Sequence, residues 1–112
     1  MRKIESEMNR AIAQGRNWGG GNTTVQHDKE NNSCRVYLHG NLIAEIGEGY
    51  IQIFDGGWQT NTTKSRLNAI FDGNGCPGEG VFQKSWQWFV RVNQGGGNFA
   101  TVPFFSGMRI NW

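Results

Sequence analysis

Apolar residues near the start of the chain recur at helical spacing. Four of them fall at i, i+4, i+7 and i+8 and so share one stripe of a helix. They are Ile4, Met8, Ala11 and Ile12. Gly15 follows as a candidate C-terminal cap, because a left-handed glycine often ends a helix. The pattern predicts a helix over residues 3–13, which must dock on other elements because a helix this short is marginal alone.

The middle of the chain alternates apolar and polar residues with the period of β-strands. After a first segment rich in Thr and Val, Val36 and Leu38 share one face of a strand, and Ile51 and Ile53 share one face of another. Gly40-Asn41 lies between them as a two-residue hairpin signal. Short links of this kind join antiparallel strands, so the segment predicts a meander.

A second change to helical spacing follows the meander. Three apolar residues fall at i, i+3 and i+4: Leu67, Ile70 and Phe71. Thr62 or Thr63 can cap the N-terminus, and Asp72-Gly73 is a stop signal. The spacing predicts a second, short helix.

The C-terminal third returns to strand-like sequence. Residues 81–92, "VFQKSWQWFVRV", predict one strand with Trp88 and Val90 on the same face. The segment "FATVPFF" is expected to pair back as a hairpin, with Pro103 placing it at a sheet edge. The last residues are expected to dock through Ile110 and Trp112.

These elements predict a single α+β domain over residues 1–112. We expect an antiparallel meander sheet of about five to six strands, with both helices on one face. The sequence Gly-Gly-Gly-Asn occurs twice, at 19–22 and 95–98. A phosphate-binding loop would lead into a helix N-terminus, whereas both copies lead into strand-like sequence, so we interpret them as two unrelated turns.

Composition fits a small domain whose core depends on aromatic residues. Hydrophobic residues make up 37% of the 112 residues and charged residues 18%, and there are five Trp and seven Phe. Net charge is +2, and no acidic residue occurs from Val81 to the end. A basic C-terminal half is one interpretation, and chance fluctuation in small counts is the other. No signal peptide or apolar membrane span is evident, so we expect a cytoplasmic protein.

No motif for catalysis, a metal or a cofactor is evident. Cys34 and His39 differ by five positions along the meander, so on a strand they would face apart and would not form a nucleophile and base. Neither C-x-x-C nor H-x-x-x-H occurs. We therefore expect no enzymatic activity, no metal and no cofactor.

Two stretches carry binding chemistry. In "TNTTKSRLNAI", Thr62 and Thr63 stand at a helix start that suits an anion, with Lys64 and Arg66 beside them. The alternative is an ordinary capped helix with a solvated face.

In the second stretch, "FQKSWQWFVRV", Lys84 and Arg91 alternate with aromatic residues. Exposed aromatics and cations on a sheet suit stacking of single-stranded bases. The alternative is that these aromatics form the core, which we expect for Trp88 and leave open for Trp86.

Several blocks of the chain resemble small proteins of tailed phages, including short-tailed and marine cyanobacterial phages. The resemblance covers about the first 70 residues. Its blocks are Met1–Ile12, Asn22–Val25, Val36–Ile46 and Thr60–Ile70. It implies a viral origin and a location in the host cytoplasm. It implies no established activity, so no functional residue is carried over.

The sequence thus predicts a small non-enzymatic phage protein that acts by binding. The preferred ligand is nucleic acid, single-stranded or through its phosphate backbone. The residues predicted to contact it are Lys64, Arg66, Lys84, Arg91 and Trp86. The alternative is a protein–protein interaction module, or a homodimer, that modulates a host or phage protein.

Overall fold

The computed structural model describes residues 1–111 and confirms an α+β fold with antiparallel strands. The helices are α1 (Lys3–Gln14) and α2 (Asn61–Asn74). The strands are β1 (Trp18–Gly20), β2 (Thr23–Asp28), β3 (Ser33–Leu38), β4 (Asn41–Gly47), β5 (Tyr50–Ile53), β6 (Gly80–Lys84), β7 (Gln87–Gly95), β8 (Asn98–Pro103) and β9 (Met108–Asn111). The docking predicted for Trp112 falls outside the described residues.

Six strands form the large sheet, in the order β1-β2-β3-β4-β5-β9. Its centre is the predicted meander. β9 returns from the C-terminus to pair with β5, where Ile110 lies opposite Ile51 and Met108 opposite Ile53. The predicted docking of Ile110 therefore takes the form of a strand.

Both helices cover one face of the large sheet, as predicted. α1 packs against β1 and β2, α2 packs against β4, and the helices contact each other. Three apolar residues of the predicted α1 stripe are buried, but Ile4 is only half-buried, and its neighbour Glu5 is buried instead. The core thus contains a carboxylate that the hydrophobic pattern did not predict.

Three strands form the small sheet, in the order β6-β7-β8. The prediction of one strand over 81–92 is wrong, because a turn at Ser85-Trp86 divides it into β6 and β7. The φ angles of these two residues are 51° and 66°, a left-handed conformation that hairpins normally assign to Gly or Asn. β8 is an edge strand, as Pro103 predicted.

Several boundaries differ from the prediction. α2 is capped by Thr60, whose Oγ1 accepts a hydrogen bond from the N–H of Thr63 at 3.1 Å, so neither Thr62 nor Thr63 is the cap. α2 also continues through Asp72-Gly73 to Asn74. The hairpin turn is His39-Gly40, both with positive φ, and Asn41 already belongs to β4.

The two Gly-Gly-Gly-Asn stretches have different structures. The second forms the turn from β7 to β8, as predicted, with positive φ at each of its three glycines. In the first, residues 19 and 20 lie inside β1, and the turn is formed by Gly21-Asn22. The sequence therefore located both turns but missed β1.

Candidate nucleic-acid interface

The small sheet has two chemically different faces. Side chains alternate between the faces along each strand. On the inner face Val81, Trp88 and Val90 are buried, and β6 packs against α2. Trp88 also meets Phe104 edge-on, with ring centroids 5.3 Å apart. This confirms Trp88 as a core residue.

The outer face of the small sheet carries a row of aromatic rings. Phe82 and Phe89 lie directly opposite each other on β6 and β7, and their rings stack with centroids 5.7 Å apart. On the same face, the Arg91 guanidinium lies 4.4 Å from the centroid of the Phe99 ring. Phe82 is 37% exposed. We call Phe82, Phe89, Arg91 and Phe99 the aromatic face.

Charge on this face is positive. Lys84 is exposed and lies opposite Gln87, in the same alternation as Phe82 and Arg91. The three strands of the small sheet contain no Asp or Glu. Glu79, which precedes β6, is buried and accepts hydrogen bonds from the backbone N–H groups of Cys76 and Asn93.

Trp86 is an exposed aromatic residue in the turn at the end of the small sheet. It occupies the second position of the β6–β7 turn and is 92% exposed. A bulky residue with positive φ is an outlier that costs folding free energy. This conformation holds the largest exposed ring of the small sheet at its tip.

Lys64 lies on the other side of the small sheet from Lys84 and Arg91. Its Nζ donates a hydrogen bond to Gln83 Oε1 at 3.2 Å and stands 5.9 Å from the ring centroid of Trp88, an inner-face residue. The predicted cations therefore do not form one surface.

Arg66 is buried and has no access to a phosphate backbone. It is 3% exposed, and its Nη1 forms an ion pair with Glu5 Oε2 at 2.8 Å. Its other nitrogens donate to Thr23 Oγ1 and Asn22 Oδ1. The prediction that Arg66 contacts nucleic acid at the surface is therefore corrected. The helical spacing of α2 turns its side chain toward α1. Only the structure shows the reason: the Glu5 carboxylate is buried, and a carboxylate inside a core requires a partner.

The predicted anion site at the start of α2 is partly occupied by the protein itself. Thr63 is buried, its N–H is bonded to Thr60, and its hydroxyl donates to the carbonyl of Trp58 at 3.4 Å. Thr62 is half-buried and lines a cavity beside the helix start. Only one residue of the predicted pair is therefore accessible.

Cys34 has a histidine neighbour in the structure, and it is His27, with which it lines one cavity. Cys34 lies directly opposite His27 in the sheet register, and not beside His39. Burial raises the pKa of the Cys34 thiol to about 11, which disfavours the thiolate. Cys76 is also a free thiol. Among residues 1–111, no group of three or more His, Cys, Asp or Glu side chains has the arrangement of a metal site.

The outer face of the large sheet is polar and bonded to itself. Glu45 accepts hydrogen bonds from the Tyr50 hydroxyl at 2.6 Å and from Arg35 Nε at 2.9 Å. These two bonds, the Tyr50 bond first, hold the pKa of Glu45 below its ordinary value. Arg109 stands 3.7 Å from the ring centroid of Tyr50. This cluster was not predicted from the sequence, although i, i+2 alternation on neighbouring strands places Arg35 and Glu45 on one face.

Neither helix in the described part of the chain is long and apolar enough to cross a membrane. No curated protein and no solved structure gives a significant match to the sequence. One family does match, over residues 1–111, and extends the predicted phage resemblance into the C-terminal third. The chain therefore belongs to a family of cyanophage proteins, that of the Kyanoviridae Gp96 protein.

Proposed function

We propose that this protein binds single-stranded nucleic acid on the aromatic face of the small sheet. The observation that carries the proposal is the combination of the stacked Phe82–Phe89 pair with Arg91 over Phe99 on an open face whose strands contain no carboxylate. Lys84 lies on the same face, and the exposed Trp86 is two residues further along the chain, in the β6–β7 turn. Lys64 and Arg66 are left out of the proposed contacts.

Stacking supplies the physical reason for a single-stranded ligand. An unpaired base can stack on an exposed ring, with a gain of about 1–3 kcal/mol per base, and every base has a π-face. Bases inside a duplex offer no such face, because they already stack on their neighbours. The cations add attraction to phosphate, which depends on salt.

Fluorescence anisotropy with labelled single- and double-stranded oligonucleotides at low salt tests the proposal. We expect Phe82→Ala to weaken single-strand binding at least about fivefold, the lower end of one lost stacking interaction. Tyr37→Ala is the matched control, because Tyr37 is a half-buried aromatic of the large sheet, and its affinity should equal that of the wild type. No anisotropy change at high micromolar protein would overturn the proposal, and so would equal losses in both variants.

Homodimerisation is the second candidate, and the same exposed rings favour it. Trp86 and Phe82 are exposed apolar residues near the same end of the small sheet, and exposed apolar surface can mark a protein interface. Light scattering discriminates the two functions. A dimeric mass that Phe82→Ala reduces to that of the monomer supports an interface between copies. A monomer that binds oligonucleotides supports the first proposal.

A further inference from the structure

A cavity of about 330 Å³ is lined by residues between Leu38 and Thr63, none of which belongs to the small sheet. It is bounded by the β3–β4 hairpin, the loop after β5 and the start of α2. Leu38 and Ile43 are buried residues that provide an apolar floor. Asn41, Asp55 and Trp58 add polar and aromatic groups. Its volume is at the lower end of small-molecule pockets, which suits one ring system and excludes an extended strand.

The loop that carries Trp58 is fixed at several points. Asp55 Oδ1 accepts a hydrogen bond from the N–H of Gly57 at 2.8 Å, and the N–H of Trp58 donates to the carbonyl of Asp55 at 3.3 Å. The carbonyl of Trp58 accepts from the Thr63 hydroxyl. Trp58 is nevertheless 73% exposed. These hydrogen bonds fix the backbone of the loop, so the loop presents Trp58 beside the cavity without a backbone rearrangement on binding.

Asp55 adds a hydrogen-bond acceptor to the same cavity. Its Oδ1 is used within the loop and by the Ser106 hydroxyl at 3.5 Å. Within residues 1–111, its Oδ2 accepts no hydrogen bond. An ionised carboxylate accepts only, so its natural ligand group is an N–H or O–H donor. Asn41, whose amide both donates and accepts, lines the same cavity.

We infer that this cavity binds a single nucleobase with an exocyclic amino group, stacked on Trp58 and donating a hydrogen bond to Asp55 Oδ2. Bases are planar, stack on aromatic side chains and present such donors on their edges. Uracil and thymine lack the amino group and bind more weakly. The inference uses no residue of the small sheet, so it stands or falls separately from the proposed function.

Titration of the ¹⁵N-labelled protein with nucleosides tests the inference by the shift of the Trp58 indole N–H, assigned with Trp58→Phe. We expect saturable shifts with cytidine, adenosine or guanosine, at least about tenfold weaker binding of uridine, and a similar loss in Asp55→Asn. Asp55→Asn retains Oδ1 and hence the bond to Gly57, so the loop should stay folded. Asp72→Asn, on the exposed surface of α2, is the matched control and should bind as the wild type does.

Three outcomes overturn the inference. One is the absence of a saturable shift up to about 10 mM nucleoside. Another is equal binding of uridine and cytidine, which removes Asp55 from recognition. The third is a larger shift with methyl pyranosides, which assigns the cavity to a sugar ring. If Asp55→Asn perturbs the loop, Trp58→Ala replaces it, with binding then read from the backbone amide shifts of residues 55–57, because the exposed side chain of Trp58 is not part of the core. Unchanged nucleoside binding in that variant also overturns the inference.

Discussion

The open faces of the two sheets carry different kinds of side chain. On the large sheet the outer side chains bond to one another across strands, with Glu45 held by Arg35 and Tyr50. On the small sheet the outer side chains are aromatic rings and cations, with no carboxylate on its strands. The other face of the large sheet is buried under α1 and α2, and the other face of the small sheet packs against α2.

This difference indicates which of the two open faces is available for binding. Polar groups that satisfy each other gain little from a partner, because binding would first have to break their existing hydrogen bonds. Exposed rings gain as soon as another flat surface displaces water from them. The open face of the small sheet is therefore the better candidate for binding, and the helix-covered large sheet is expected to provide most of the stability.

The largest expected effect concerns the ion pair beneath the large sheet. Arg66→Met leaves the Glu5 carboxylate buried without its charged partner, which typically costs about 3–5 kcal/mol of unfolding free energy. Arg35→Met breaks the exposed pair with Glu45 and should cost far less, because water and salt screen exposed charges. Urea unfolding measures both. Equal losses would show that the two pairs stabilise the fold equally.

The same pair predicts how stability depends on pH. Burial raises the pKa of Glu5, but hydrogen bonds from Ser65 and Arg66 outweigh it, so the pKa in the folded protein lies below the ordinary value. A lowered carboxyl pKa contributes stability that is present above the unfolded pKa, about 4.3, and is lost as pH falls through the folded pKa. Unfolding free energy should fall with acid in this range, and less steeply in Glu5→Gln. Parallel acid slopes would contradict the assignment.

A smaller effect is expected at the tip of the small sheet. Trp86→Gly should raise the unfolding free energy by about 1 kcal/mol, because glycine adopts the left-handed conformation without steric cost. Trp86→Ala retains the strain and should show no such gain. The same Trp86→Gly variant should bind oligonucleotides more weakly, because it lacks the exposed indole. Unchanged stability in both variants would exclude strain at this position.

The smallest effect distinguishes the cations of the two sheets. If Arg91 contacts a phosphate, Arg91→Gln should reduce the slope of log affinity against log salt by about 0.7 for a single strand. Arg109→Gln removes a cation from the outer face of the large sheet and should leave the slope unchanged. Anisotropy titrations at several salt concentrations measure both slopes. Identical slopes in the two variants would place the phosphate contacts elsewhere.

Periodicity alone determined the two helices, the meander and the antiparallel α+β class. These elements follow from local spacing, as with the Met8 stripe of α1 or the Ile51 and Ile53 pair of β5. Composition also showed that the chain from Val81 to its end is rich in aromatic residues and contains no acid. The turn at Ser85-Trp86 was not predicted, because it contains neither Gly nor Asn. The apolar positions do indicate a break, because they are odd-numbered at Val81 and even-numbered at Trp88.

Tertiary structure alone decided which of the predicted residues reach the surface. Lys64 and Arg66 are two positions apart on α2. Arg66 is buried in an ion pair with Glu5, whereas Lys64 remains near solvent. Phe82 and Trp88 differ by six positions, but the intervening turn places them on opposite faces of the small sheet. Local sequence specifies which side chains share a face of an element. Only the packing of α1, α2 and the sheets specifies which face is covered, because that depends on partners distant in the chain.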